Sequence, residues 1–294
     1  MIDPLAAIVA ARFAFDAAAL FLWGAGLYLW LLVPSDTGRT VWRRLYLGRI
    51  TAVVSLLLAT TITLPAQTAI IGEGWRTVLD LNLVWSLLWN TNIGTAWLLQ
   101  ALTAAGITIA ALRRSDSPAV TAILAAALLA STTLTGHTAT YDGWVRVFHQ
   151  LNAALHLLSA GAWVGALVPL LFLISLLGGA GTAGNARRAL IHFSTMGHVA
   201  VTLVTVSGIA NTLLIVGGLP TDMQSAYQLL LLIKVGLVAA MVVLAIFNRY
   251  VLVKRLRRWI GAQKALVAST AAELVLASFV IGLVAWFSTL QPTP

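Results

Sequence analysis

Ala18–Pro34 reads AALFLWGAGLYLWLLVP, and Ala153–Pro169 reads AALHLLSAGAWVGALVP. Neither string contains Asp, Glu, Lys or Arg, and nine of the 17 positions are identical without a gap. There is no alternation of apolar and polar residues, so neither reads as a half-buried strand. Both lie inside longer apolar runs, 5–33 and 147–177. Each run exceeds the roughly 20 apolar residues that cross a bilayer as a helix. In hydrocarbon each backbone N–H needs an internal acceptor, and a helix supplies one within the segment.

Six further runs of this kind follow, at approximately 50–71, 93–112, 119–135, 189–216, 227–253 and 265–290. The expected fold is therefore all-α: a polytopic integral membrane protein with eight transmembrane helices. Composition agrees. The 294 residues are 60% hydrophobic and 9% charged, against about a quarter charged in soluble domains. Leu79 to Trp89 is apolar but brief, and it carries Asp80, Asn82, Trp85 and Trp89. It reads as a helix lying in the membrane interface, where Trp prefers to sit. The opening Met1-Ile2-Asp3-Pro4 lacks a basic region and a small-residue cleavage site, so the first run is expected to be a retained helix.

The net charge of +9 is not a nucleic-acid signal, because the cations sit in short loops between apolar runs. Arg39, Arg43, Arg44 and Arg49 follow the first run, Arg113 and Arg114 the third, and Arg187 and Arg188 the fifth. Arg249, Lys254, Arg255, Arg257, Arg258 and Lys264 lie at or beyond the end of the seventh. The alternate loops hold Arg76 and Arg146 with Glu73, Asp80, Asp142 and Asp222. The positive-inside rule then places both termini of the chain on the outer side of the membrane. The lipid bilayer is its first expected partner.

The two opening strings are the strongest part of a repeat. Ala66-Gln67-Thr68 echoes Ala210-Asn211-Thr212, and Thr95-Ala96-Trp97 echoes Ser225-Ala226-Tyr227. Spans 1–4 read as a divergent copy of spans 5–8. Both halves start on the same side, so this is a parallel 4+4 repeat. All five histidines follow Gly136, and His156 falls opposite Phe21. Chemistry is thus expected in the second half, and the chain divides into a scaffold (1–117) and a part with the expected metal site (118–294).

His137 precedes the fifth run, His149 opens it, and His156 lies seven residues deeper. His149 and His156 share a helix face about 10.5 Å apart, which suits two successive sites. One metal with bonds of roughly 2 Å could not join them. His198 enters from the other side, and it and His156 both fall on the order of 12–13 Å from their own surfaces. Met196 and His192 lie nearer the basic side, where His192 reads as interfacial. A ladder results: His137, His149, His156, His198, Met196, His192. Hydrogen bonding between helices is the alternative role for any one histidine. For His156 a functional role is favoured, because an ionisable group inside a span is costly.

The other intramembrane ionisable groups are Asp16, Lys234 and Glu273. Arg12 and Asp16 stand at i and i+4 and can pair. Lys234 is a second candidate partner for Asp16, and Arg249 for Glu273. Structural ion pairs are the favoured role, with a proton or cation path as the sharper one. Trp163 and Gly165 read as close helix packing around a bulky ring. There is no cysteine, which excludes disulfides and thiolate metal sites. There is no Walker loop, GxGxxG or HExxH.

From Gly136-His137 onward the chain resembles the copper resistance protein D family of bacterial inner-membrane proteins. The resemblance runs through Leu155-His156, Trp163-Val164-Gly165, Phe193-Ser194, Ser207-Gly208, Leu232-Ile233-Lys234, Asn248-Arg249, Glu273 and a Pro-containing tail. The family's WxGG appears here as Trp163-Val164-Gly165-Ala166, its Arg-Phe-Ser as His192-Phe193-Ser194, and its Tyr-Gly as Tyr227-Gln228. The resemblance implies copper movement across the inner membrane, from periplasm to cytoplasm, in copper homeostasis or resistance. Imidazole suits copper, and the ligands then expected are His137, His149, His156, His198 and Met196.

Two other readings compete. Kinship with small haem-binding membrane proteins implies haem b, with His156 and His198 as axial ligands of a membrane oxidoreductase. Alternatively the chain is an assembly partner that handles copper without transporting it. It would then bind copper or a periplasmic copper chaperone through the loops around Glu73, Asp80, Asp142 and Asp222.

Overall fold

A computed structural model of the protein describes residues 3–113, 117–136, 142–179, 181–256 and 261–291. No strand occurs among the described residues. Asp3 caps α1 (Pro4–Leu31) by accepting from the Leu5 N–H, with Pro4 in the first turn, where its missing N–H costs nothing. The segment after it was expected to be a basic loop. It folds instead as α2 (Ser35–Arg44), because Thr37, Gly38, Val41 and Trp42 form a face that buries against the bundle. Next come α3 (Tyr46–Ile71), the short α4 (Leu81–Asn90) and α5 (Asn92–Leu112). Trp85 and Trp89 of α4 are exposed.

The fourth apolar run forms α6 (Pro118–Ser131) and a 3₁₀ turn to Leu134. The second half comprises α7 (Gly143–Ser175), α8 (Ala183–Val216) and α9 (Ala226–Phe247), a π segment (Asn248–Leu252), the short α10 (Val253–Arg255) and α11 (Ala262–Phe287). The chain is an all-α polytopic membrane protein. Among the described residues seven helices are long and apolar enough to cross a membrane, and Pro118–Leu134 is apolar but shorter. The outer surface carries exposed Leu, Ile, Val and Phe, such as Leu102, Val206, Val243 and Phe279.

The helices alternate between a face that holds the first and last described residues, the terminal face, and an Arg-rich face, the basic face. α1 and α7 cross at the centre, backbone against backbone. A Cβ on Gly24 would lie 2.0 Å from the Gly161 carbonyl oxygen, and one on Gly165 would lie 2.1 Å from that of Leu20. Gly161 and Gly165 are four residues apart on one face, the spacing that lets membrane helices approach closely. Trp23 then donates its indole N–H to the Leu158 carbonyl at 2.8 Å. The fully buried Tyr28 donates to the Ala189 carbonyl at 2.9 Å.

Around this crossing each half follows one plan. α1 packs on α3 and α6, and α5 packs on α6; correspondingly, α7 packs on α8 and α11, and α9 packs on α11. One contact differs. α3 packs along α5, whereas α8 and α9 scarcely touch.

Candidate functional site

The gap between α8 and α9 is where the polar groups of the second half meet. Toward the terminal face, α7 presents Asn152 and His156 one turn apart. Asn152 Nδ2 donates to the Ser207 carbonyl at 2.9 Å and to Asn211 Oδ1 at 2.8 Å. His156 Nδ1 lies 3.1 Å from both the Val204 carbonyl and Ser207 Oγ. A carbonyl only accepts, so Nδ1 carries the proton and Nε2 keeps the lone pair that a metal would use. Gly208 makes room for the ring: a Cβ there would sit 3.2 Å from His156 Cε1. Lys234 is an electrostatic neighbour of His156. Its Nζ lies 5.8 Å from the Phe287 ring centre.

Toward the basic face, α7, α8, α9 and α11 enclose a cavity of about 380 Å³. Its polar lining includes Ser194, His198, Asn248, Arg249, Tyr250 and Glu273, and Trp163 closes its inner side. The π segment explains how three consecutive residues serve it. The wider turn re-aims side chains that an α-helix would spread evenly around its axis. Asn248 turns to α11 and donates to Glu273 Oε1 at 2.5 Å. Arg249 turns to α8 and donates to Ser194 Oγ. Tyr250 meets His198, its hydroxyl 3.2 Å from Nε2, while His198 Nδ1 donates to the Ser194 carbonyl at 2.7 Å. Trp163 also bonds the Glu273 carboxyl. Side chains therefore bridge α8 and α9 where the backbones do not.

The expected ligands do not all converge. His137 lies outside the described residues. His149 is fully buried in the first turns of α7. Met196 packs against the apolar core and not into the cavity. His192 is exposed and bonds the Leu32 carbonyl at 2.8 Å, an interfacial role. Among the described residues no three His, Asp or Glu side chains gather into a metal cluster. Asp16 does pair with Arg12, at 3.8 Å. Lys234 does not pair with Asp16 but neighbours His156, and the Glu273 carboxyl meets Asn248 and Trp163, not Arg249. Asn152, Asn211 and Tyr250 were not anticipated. The i, i+4 spacing of Asn152 and His156 was the available signal.

His156 and His198 do not fit a shared haem. His198 lies six residues before Val204, the partner of His156, which is about 9 Å along α8. Its ring turns to Tyr250, and the cavity it lines excludes His156.

Residues 1–147 match the family model for the copper resistance protein D-like N-terminal domain, and residues 187–287 match that for copper resistance protein D. The chain belongs to the copper resistance protein D family. It is 34% identical to the inner membrane protein YebZ of Escherichia coli (strain K12) over 97% of this chain and 98% of that one. Identity to the copper resistance protein D of Pseudomonas syringae pv. tomato is 33%, over 99% and 98% of the two chains. Identity to the copper transport protein CutJ of Bacillus subtilis (strain 168) is 30%, over 74% of this chain and 40% of that one. No solved structure matches. As a member of the copper resistance protein D family with these apolar helices, it is a multi-pass inner-membrane protein. Trp163, Phe193-Ser194, Asn248-Arg249 and Glu273, some of the pieces on which the resemblance rested, stand apart in sequence and line one cavity; Leu155-His156, Ser207-Gly208 and Lys234 do not line it.

Proposed function

We propose that this chain moves copper ions across the inner membrane, from periplasm to cytoplasm, in copper homeostasis. Its terminal face is then periplasmic, its basic face cytoplasmic, and α6 is the eighth span. The names of two relatives, a copper resistance protein and a copper transport protein, support the cargo. The observation that carries the reading is the arrangement of the second half. His149, Asn152 and His156 on α7 lead from the terminal face toward the cavity that holds His198, alongside the separation of α8 from α9.

Copper enters at the terminal face on the side of His149, with His137 as a further ligand, delivered by a periplasmic copper chaperone. It passes the free Nε2 of His156, and then His198. Imidazole is a competent copper ligand, and few protein ligands at each position favour release over storage. Met196 would take part only after turning from the core.

The test is uptake of copper by proteoliposomes containing the purified chain. His156→Ala and His198→Ala should each lower the rate at least tenfold while the protein stays monodisperse in detergent. Unchanged uptake in both variants would overturn the proposal.

A further inference from the structure

Glu273 is the one carboxyl in the second-half bundle, among the described residues, that is buried from both water and cations. It is 2% exposed, and no Lys, Arg or His forms an ion pair with it among the described residues. Its partners are the neutral Asn248 amide and Trp163 indole. The ionisable groups facing the same cavity are His198, Arg249 and Tyr250; Arg249 is engaged by Ser194, and Tyr250 by His198. Of the other cations near this end, Lys254 and Arg255 belong to α10, with Lys254 over the Tyr250 ring. Lys264 lies in the first turn of α11, and Arg187, Arg188 and His192 lie on α8, His192 bonded to the Leu32 carbonyl; none of these four lines the cavity. On α9, which packs against α11, Lys234 and Tyr227 meet Phe287 toward the terminal face. On α1 and α7, which also pack against α11, Asp16, Arg12, Arg146, His149 and His156 lie toward the terminal face, and Tyr28 is engaged by Ala189.

A second atom bears on the same group. Asn248 is 8% exposed, and its Oδ1 is buried with no donor among the described residues. Its Nδ2 is already committed to Glu273 Oε1. A buried acceptor without a donor is costly. A protonated Glu273 carries an O–H beside this amide, and acid and amide can then exchange two hydrogen bonds. In the ionised state, Asn248 Nδ2 and the Trp163 N–H are the donors that a carboxylate needs. The site thus serves both states of one group at the wall of a cavity near one face.

We propose that Glu273 is a proton carrier that couples copper movement to protons, an inference that rests on the copper reading above. It holds a proton in the structure described here. As a copper ion enters the basic-face cavity the carboxyl O–H bond breaks and its proton passes to the cavity water. The carboxylate stays held by Asn248 and Trp163 until the ion leaves to the basic side, and it then takes a proton back from that water. No electron moves. A buried ionisable group in a span is the usual mark of such a relay.

The experiment uses right-side-out proteoliposomes of the full chain, with copper and ascorbate outside, the membrane potential clamped and external pH fixed. Only the internal pH is varied, so competition between protons and copper at the outer histidines stays constant. The wild-type uptake rate should change at least threefold over two pH units. In Glu273→Gln, whose amide can still bond Asn248 and Trp163, the ratio should fall to one; in Glu273→Asp it should persist. The infrared difference spectrum of wild type against Glu273→Gln should show a carboxylic-acid C=O stretch at neutral pH. Uptake indifferent to internal pH, an unaltered response in Glu273→Gln, or no such stretch overturns the coupling and leaves the copper reading standing. Wild-type vesicles that take up no copper at any pH overturn both.

Discussion

The two halves share a helix plan but differ in what fills the space between their second and third long helices. In the first half α3 and α5 lie side by side. Trp97 of α5 donates to the Thr60 carbonyl of α3 at 2.7 Å, tying them together. At the position echoing Trp97, the second half has Tyr227, whose ring turns to Phe287 of α11 at 5.2 Å. The first half also buries Arg49, with its guanidinium 4.0 Å from the Trp42 ring centre, where the aromatic face attracts the cation. The second half instead keeps a cavity crossed by His198, Tyr250, Arg249 and Ser194. Packing closes the first half, while polar side chains span the gap in the second.

The largest effect should come from breaking what the halves share. Gly165→Val inserts a side chain where backbones meet, and overpacking costs about 1–3 kcal/mol or more. No rotamer relieves a clash with the Leu20 carbonyl. Folded protein should fall below detection by size-exclusion chromatography in detergent.

The comparison sharpens at the paired positions Phe21 and His156. Phe21→Ala removes apolar contact in the scaffold and should leave copper uptake within twofold of wild type. The corresponding His156→Ala should cost at least tenfold in the same assay. Equal losses would mean that the halves are functionally alike.

A smaller effect is expected for Trp97→Phe. It removes one hydrogen bond to Thr60 and should lower stability by about 1 kcal/mol, read as a shift in thermal melting, with uptake unchanged. Smallest of all, Ser194→Ala removes a single bridge from Arg249. It should leave the melting temperature unmoved and change uptake by no more than a factor of two to three, since the His198–Tyr250 contact still spans the gap.

The spans were legible because apolar length answers directly to bilayer thickness. The short helix α4 was legible as a brief apolar segment set apart from the spans. α2 was not, since four charges in ten residues hid the apolar face made by Gly38, Val41 and Trp42. Within the site, Trp163, His198 and Glu273 were singled out in the sequence, and all three line the cavity. Their partners were not. Charge pairing predicted Arg249 for Glu273, but the π segment turns Asn248 there and sends Arg249 to Ser194. A local change of helical pitch leaves no periodic mark in an apolar run. Lys234 was placed beside Asp16 by depth alone, and depth along an axis says nothing about which side of the bundle a residue faces.

Composition and apolar run length by themselves determined a membrane-embedded, all-helical chain, because each apolar run must satisfy its own backbone in lipid. Tertiary structure alone decided that α8 and α9 stand apart, that residues from four helices meet in one cavity, and that His156 and His198 face different neighbours. Those outcomes depend on which faces of uniformly apolar helices meet, and in such helices that choice is made by glycine contacts and a few polar bonds far apart in the chain.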